Sequence, residues 1–360
     1  MKLLKKLREF LIVPFRAREY SNQYLSGDLQ LKMYNGESYA EALAGALETY
    51  LPEQVIKDKR ILRKIVTKAI KSNLLFGFKP HEYFIYDLSD KSVAEWSEYL
   101  SEKERVGTLN RAFGLDLKTQ LRDKWIFYQL AKPYFKREIF HLTKDTEVDD
   151  FTSFAKRIRH IFCKPTDGHM GIGIYRYDID EQTDIANIHH TLLSECQDWV
   201  IEECITQGKE MSMWNEISVN TIRFPSFFKN GTLTPYYPRI RTGRKGQIVD
   251  NVAQGGLIAF IDAKTGIINT DGFYKKNQTS SVHPDSGIRF KGTAIPHWQE
   301  LLKYAEDLHK ALPQHVYIAW DFAYTDKGWD VVEANWGQMD STQMIIGHGI
   351  RKEFHELLGR

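Results

Sequence analysis

The chain has little of what marks several large protein classes. Only three cysteines, Cys163, Cys196 and Cys204, occur in 360 residues. They lack the spacing of a zinc site and one is left over in any pairing. A disulfide scaffold is therefore excluded, and a reducing, cytoplasmic interior is the simpler setting. No apolar run approaches the roughly 18 residues needed to cross a bilayer. Neither sign of charge is in excess: 49 Lys+Arg against 47 Asp+Glu leave +2, which argues against a nucleic-acid partner. No stretch has the Gly-Lys-Ser/Thr of a mononucleotide P-loop opening a helix. Repeats and low-complexity tracts are missing too.

What is present is enough apolar and aromatic residues, 42% and 13%, for substantial cores. Residues 1–120 read as mainly helical, with Leu62, Ile65, Val66, Ala69 and Ile70 at helical spacing in a helix over 54–73. The segments 81–84 and 101–110 read as connections. At the N-terminus, Leu3, Leu4, Leu7 and Leu11 line one helical face, with Lys2, Lys5, Lys6 and Arg8 mostly elsewhere. That pattern suits the surface of an anionic membrane. It equally suits a helix packed on its own protein with its lysines solvated. From Asp123 helices and strands alternate, and after about residue 206 strands dominate. The expected strands include 138–142, 160–164, 172–177, 199–205, 217–228, 233–242 and 256–262, with a long helix over 298–312. The expected fold class is α+β, divided at 1–120, 121–205 and 206–360.

The most informative stretch is Ala319 to Asn335, AWDFAYTDKGWDVVEAN. Two apolar runs flank Asp326-Lys327-Gly328, a hairpin loop whose glycine sits where a left-handed residue is wanted. Centring the hairpin on Lys327 puts Asp321 opposite Glu333, on the face that Asn335 shares. Two carboxylates meeting across a hairpin repel unless a cation or proton intervenes. Two carboxylates and an amide oxygen are hard ligands that suit Mg²⁺ held with phosphates. The bland alternative is one carboxylate in solvent and the other at a turn.

A second stretch runs from His160 to Gly173. Lys164 ends a strand, and Gly168, Gly171 and Gly173 follow in a hairpin loop. Bare backbone N–H groups there form an anion nest, and Lys164 supplies compact positive charge for phosphate. A plain structural turn is the competing reading. In the third stretch, Glu202 and Glu203 end an apolar strand before Gln207-Gly208, suiting either a hinge beside an adenine or a solvated pair.

Taken together and in this order, these motifs resemble the ATP-grasp superfamily from about Asp123 to Asn335. The resemblance implies an ATP-grasp fold, two α+β lobes gripping ATP, behind the helical N-terminal region. It implies that Lys124 and Lys164 contact phosphates, with Gly168, Gly171 and Gly173 closing over them. Glu202, Glu203 and the looser candidate Glu210 would serve adenine and ribose. Asp321, Glu333 and Asn335 would hold Mg²⁺. Arg239, Arg241 and Arg244, then Asn251, Gly255 and Gly256 in DNVAQGG, are similar to elements of amino-acid-ligating members that meet phosphates and an acyl phosphate. Arg223, His283-Pro284-Asp285 and Ile295-Pro296-His297-Trp298 resemble the sugar-transfer-associated group, linked to surface-polysaccharide assembly, with Arg223 and His283 as candidate acceptor contacts. The usual Gly-x-x-x-Pro lead after Lys124 is missing. The resemblance implies an ATP-dependent ligase joining a carboxylate, on a sugar acid or glycan precursor, to an amine donor. A kinase of a hydroxylated substrate and a non-catalytic nucleotide-binding partner of glycosyltransferases are the alternatives. The setting is cytoplasmic, with the inner membrane face open through the N-terminal helix.

Overall fold

The computed structural model describes residues 2–167, 173–196, 198–247, 250, 255–275, 278–336 and 339–359. The chain divides into two compact units, 1–112 with 339–360, and 113–338.

The first unit is helical. Its main helices are Lys2–Ser26, Tyr39–Tyr50 and Lys59–Phe76. Asp58 starts the last of these by accepting the N–H groups of Arg60 and Ile61, at 2.9 and 3.0 Å. Gly77, at φ 79°, ends it in the left-handed conformation. Leu43, Leu47, Val66, Ala69, Ile70, Phe78 and Tyr83 fill the core between them. The segments read as connections are helices. Glu82, within the helix Pro80–Ile85, is buried and accepts the N–H groups of Lys79 and Glu102, at 2.7 and 2.8 Å. A carboxylate that satisfies two chain starts from inside leaves no local pattern to read. The C-terminal segment belongs to this unit rather than to a strand-rich lobe. The Gln343 amide pairs with the backbone N–H and C=O of Leu100 at 2.8 and 2.9 Å, and Arg351 binds Glu104 at 2.8 Å.

The second unit contains two antiparallel sheets. The smaller is formed by β1 (Ile139–Thr143), β2 (His160–Pro165), β3 (Tyr175–Asp178) and β4 (Asp198–Glu203), in the order β1-β4-β2-β3. Helices Val148–Ile158 and Ile185–Glu195 cover it through Phe151, Phe154, Ala155, Ile188 and Leu192. The larger sheet has eight strands: β5 (Thr221–Lys229), β6 (Thr232–Pro235), β7 (Arg239–Thr242), β8 (Leu257–Phe260), β9 (Gly272–Lys275), β10 (Gln278–Ser280), β11 (Tyr317–Thr325) and β12 (Gly328–Asn335). Its order is β10-β9-β8-β7-β5-β11-β12, with β6 also on β5. The single strand expected over 233–242 is broken in two, because Tyr237 sits at φ 49° and cannot continue the ladder.

Strand side chains alternate, so each strand of the larger sheet sorts its residues onto two faces. Ile222, Phe224, Ile240, Ala259, Trp320 and Phe322 pack with Trp298, Leu301, Ala305 and Leu308 of the helix Trp298–Lys310. The intervening residues of β5, β7 and β11 include Arg223, Arg239, Arg241 and Asp321. That division positions the site.

Candidate functional site

The hairpin of β11 and β12 pairs Thr325 with Gly328, and the ladder runs back to Phe322 opposite Val331. Gly328 is left-handed at φ 88°. Continued unbroken, this register would set Asp321 opposite Val332. A bulge at Val332 instead brings Asp321 opposite Glu333 and Ala319 opposite Asn335. The bulge also changes which face the later residues occupy. Val331 and Ala334 lie in the core, while Glu333 and Asn335 join Asp321 on the charged face. The sequence-based pairing therefore reaches the right partners, with an extra residue in the strand where a longer loop was expected.

Across the sheet, Asp321 lies beside Arg223 on β5, and Arg223 beside Arg239 on β7. Asp321 is fully buried and receives Arg223 bidentately, Nε at 2.5 Å and Nη2 at 2.9 Å. Arg241 donates Nη2 to the same carboxylate at 3.1 Å and Nε to the Thr221 hydroxyl at 3.0 Å. Asp250 holds the other side of Arg241 at 3.4 Å and accepts the Thr221 hydroxyl at 2.5 Å. The Asn335 amide donates to Glu333 at 2.9 Å and to Asp321 at 3.4 Å.

Burial raises Asp321 to about 7, with Glu333 adding to the rise against Arg223 and Arg241. Burial pushes Glu333 upward too, but a hydrogen bond from Asp321, Arg223 and the Asn335 amide outweigh it and hold Glu333 at about 2. Burial, and then the guanidiniums of Arg223 and Arg241, push Arg239 down to about 10.

The smaller sheet brings two lysines toward this face. Asp123 caps the helix Lys124–Ala131 by accepting the N–H groups of Trp125 and Ile126, both at 2.9 Å. The Lys124 backbone N–H is tied to the Thr166 carbonyl at 3.0 Å, and its Nζ reaches the Pro165 carbonyl at 3.0 Å. Burial lowers Lys124, Glu333 and Glu202 pull it back up, and Lys164 lowers it further. Lys124 therefore lies within the field of both the hairpin carboxylate and the lysine at the end of β2.

Lys164 is buried and gives its Nζ to Glu202 at 2.9 Å. Glu202 receives Arg137 on its other oxygen, also at 2.9 Å. Arg137 continues to Asp330 and the Val331 carbonyl, both at 2.7 Å, and to the Val332 carbonyl at 3.3 Å. A single buried guanidinium thus joins β4 of one sheet to the bulge of the other. Sequence reading missed Arg137, Asp330 and Thr221. An isolated Arg before a short strand carries no motif, and its partners lie 65 and 193 residues away.

The remaining expected residues fall as follows. Both Glu202 oxygens are committed to cations. Glu203 accepts the Glu138 N–H at 3.0 Å and lies 3.6 Å from Lys327. Glu210 is exposed on the short helix Lys209–Ser212. Gly173 and Gly255 are left-handed at φ 70° and 93°, and Gly256 is buried. Gly168, Gly171 and Asn251 lie outside the described residues. Arg223, expected as an acceptor contact, is buried as the main partner of Asp321. His283 is fully buried: one ring nitrogen donates to the Gly243 carbonyl at 3.0 Å and the other faces the N–H groups of Asp285 and Ser286. Both of its nitrogens hold a turn, so it has none to offer an acceptor. Arg244 is engaged by Asp285 at 2.8 Å.

Among the described residues no three His, Cys, Asp or Glu side chains cluster as a metal site. The donor set nevertheless fits a divalent cation. Two carboxylates and an amide oxygen brought together on one face are hard ligands of the kind Mg²⁺ takes. Arg223 and Arg241 already occupy much of Asp321, so Glu333 and Asn335 are the more available ligands.

The match to known families agrees with this geometry. The model of sugar-transfer associated ATP-grasp matches residues 116–357. A search of curated proteins returns no match. Among solved structures, the chain is similar to D-alanyl-alanine synthetase A from Vibrio cholerae, with 13% identity, TM-score 0.43, and 67% of this chain against 66% of that one. D-alanine–D-alanine ligase from Bacillus anthracis matches at 17% identity and TM-score 0.38, over 66% of each chain. D-cycloserine synthetase DcsG matches at 12% and 0.39, over 68% and 71%. The chain thus spans just under two thirds of the first two proteins. With two antiparallel sheets, a lysine-bearing strand end and an acidic hairpin all inside the matched span, the chain belongs to the sugar-transfer-associated ATP-grasp family.

Proposed function

We propose that the chain is an ATP-dependent carboxylate–amine ligase acting on a sugar acid or glycan precursor of surface-polysaccharide assembly, in the cytoplasm where ATP is supplied. One observation carries this reading: Asp321, Glu333 and Asn335 form a paired acidic row, with Lys124 in the field of Glu333 and Lys164. Phosphoryl transfer needs positioning and charge neutralisation more than a protein nucleophile. Lys124 and Lys164 bind the α- and β-phosphates, and Glu203 and Glu210 orient adenine and ribose. Asp321, Glu333 and Asn335 hold Mg²⁺, which when bound neutralises the phosphate oxygens around the transferred group. Arg241 and Arg239 face the γ-phosphate, and the Gly255-Gly256 backbone supplies N–H groups to the acyl phosphate. The acceptor carboxylate oxygen attacks the γ-phosphorus, ADP leaves, and the amine then displaces phosphate from the acyl carbon.

Hydroxylamine tests this directly. With ATP, Mg²⁺ and a panel of uronic acids, hydroxylamine should intercept the activated acid as a hydroxamate while ADP accumulates. ADP accumulating with a stable phosphate ester and no hydroxamate would make the chain a kinase instead. Tight ATP binding with no turnover on any acceptor would make it a non-catalytic partner.

A further inference from the structure

We propose that the first unit docks on an anionic lipid bilayer through one turn of its N-terminal helix, with Leu11, Ile12 and Phe15 entering the headgroup boundary. Scattered exposed apolar residues are ordinary. These are not scattered. Eleven large apolar side chains are exposed among the described residues, and three fall within five consecutive positions: Leu11 at 67%, Ile12 at 41% and Phe15 at 78%. The helix is not short of a packing face, because Val13, Ala17 and Ser21 are buried on its other side, against Lys59–Phe76. The outward apolar turn is therefore surplus to folding.

Charge selects the occupant. The first unit, 1–112 with 339–360, holds 22 Lys+Arg against 18 Asp+Glu, a net of +4, concentrated in residues 1–76, which net +6, while residues 113–338 net −2. On the supporting helix Lys59–Phe76, Arg60, Lys64 and Lys68 recur every four residues and are exposed, with Ile61 beside them at 43%. Among the described residues Arg18, Arg60, Arg63 and Lys64 have no ion-pair partner. An exposed apolar turn on a chain segment with this excess of cations matches acyl chains beneath anionic headgroups. A second copy of the same basic unit would instead bring like charges together. No helix here is long and apolar enough to cross a membrane, so the contact lies in the interface plane. This proposal is independent of the acceptor chemistry.

Co-sedimentation of the purified full-length chain with vesicles tests it. The chain should pellet with phosphatidylcholine vesicles containing phosphatidylglycerol and much less with phosphatidylcholine alone, and salt should weaken the binding. Leu11→Glu with Phe15→Glu, both at exposed positions, should cut partitioning by at least about tenfold while leaving the melting temperature and ATP binding unchanged. Arg60→Glu with Lys64→Glu should cost about tenfold on anionic vesicles and little on neutral ones. Binding to neither vesicle, or binding indifferent to the Leu11/Phe15 pair, would overturn the proposal. So would a dimer in sedimentation equilibrium that this pair dissociates without any vesicle binding.

Discussion

Glu202 and Asp321 are both buried carboxylates held by two cationic side chains, and they titrate in opposite directions. Burial works against Glu202 as well, but Arg137 and Lys164 outweigh it and hold Glu202 below the usual carboxylate range. Asp321, with Arg223 and Arg241, is instead raised to about 7. Burial is the largest influence on both, and one further contrast lies in the strand opposite. Glu202 faces no second acid, whereas the bulge at Val332 delivers Glu333 to Asp321. The first arrangement holds one carboxylate between two cations. The second sets two carboxylates side by side, the kind of arrangement a divalent cation would relieve.

The comparison can be broken from either end. Glu202→Gln should give the largest effect on stability, about 3–5 kcal/mol in urea unfolding, because it strands Lys164 and half of Arg137 in a buried setting. Glu333→Gln should do the reverse. ATP turnover should fall at least about a hundredfold, the loss of one transition-state electrostatic contact of about 2.7–4 kcal/mol. Stability should barely change, since a like charge is removed from beside Asp321. A stable Glu202 variant and an unfolded Glu333 variant would invert the two roles.

Titration sharpens the contrast. A carboxyl raised from 3.8 to about 7 contributes stability below its unfolded value and loses it as pH rises through about 7. Wild type should therefore lose stability relative to Asp321→Asn between about pH 4 and 7. Glu202, lowered from 4.5, contributes above that value and loses its contribution as pH falls. The advantage of wild type over Glu202→Gln should shrink on acidification. Parallel pH curves for the two variants would remove the distinction. The smallest effect belongs to the neighbouring acid: Lys327→Ala, which frees Glu203 from a half-exposed partner at 3.6 Å, should cost under about 1 kcal/mol.

Much of this was legible in the sequence because it depends on local period. Alternation in β11 and the Asp-Lys-Gly turn give the strand pair and the acidic face. The helix over 298–310 and the lysine before the glycine loop follow from pattern as well. What escaped depends on distance. Arg137 gains its role only when β4 and β12 arrive beside it. Tyr237 breaks a strand that propensity would continue, and Gln343 ties the C-terminal helices to Leu100 by backbone bonds that no side-chain pattern announces. His283 was expected as an acceptor contact, yet Trp214 and Phe290 enclose it in space.

The surplus residue at Val332 sets a rule for how this hairpin can drift. Exchanges at Asp326 or Lys327 are tolerable, since both are solvent-exposed or nearly so. A single-codon insertion or deletion between Phe322 and Glu333 is another matter: it would turn the acid toward Trp320 and the valine onto the charged face, dismantling that face without removing any of its side chains.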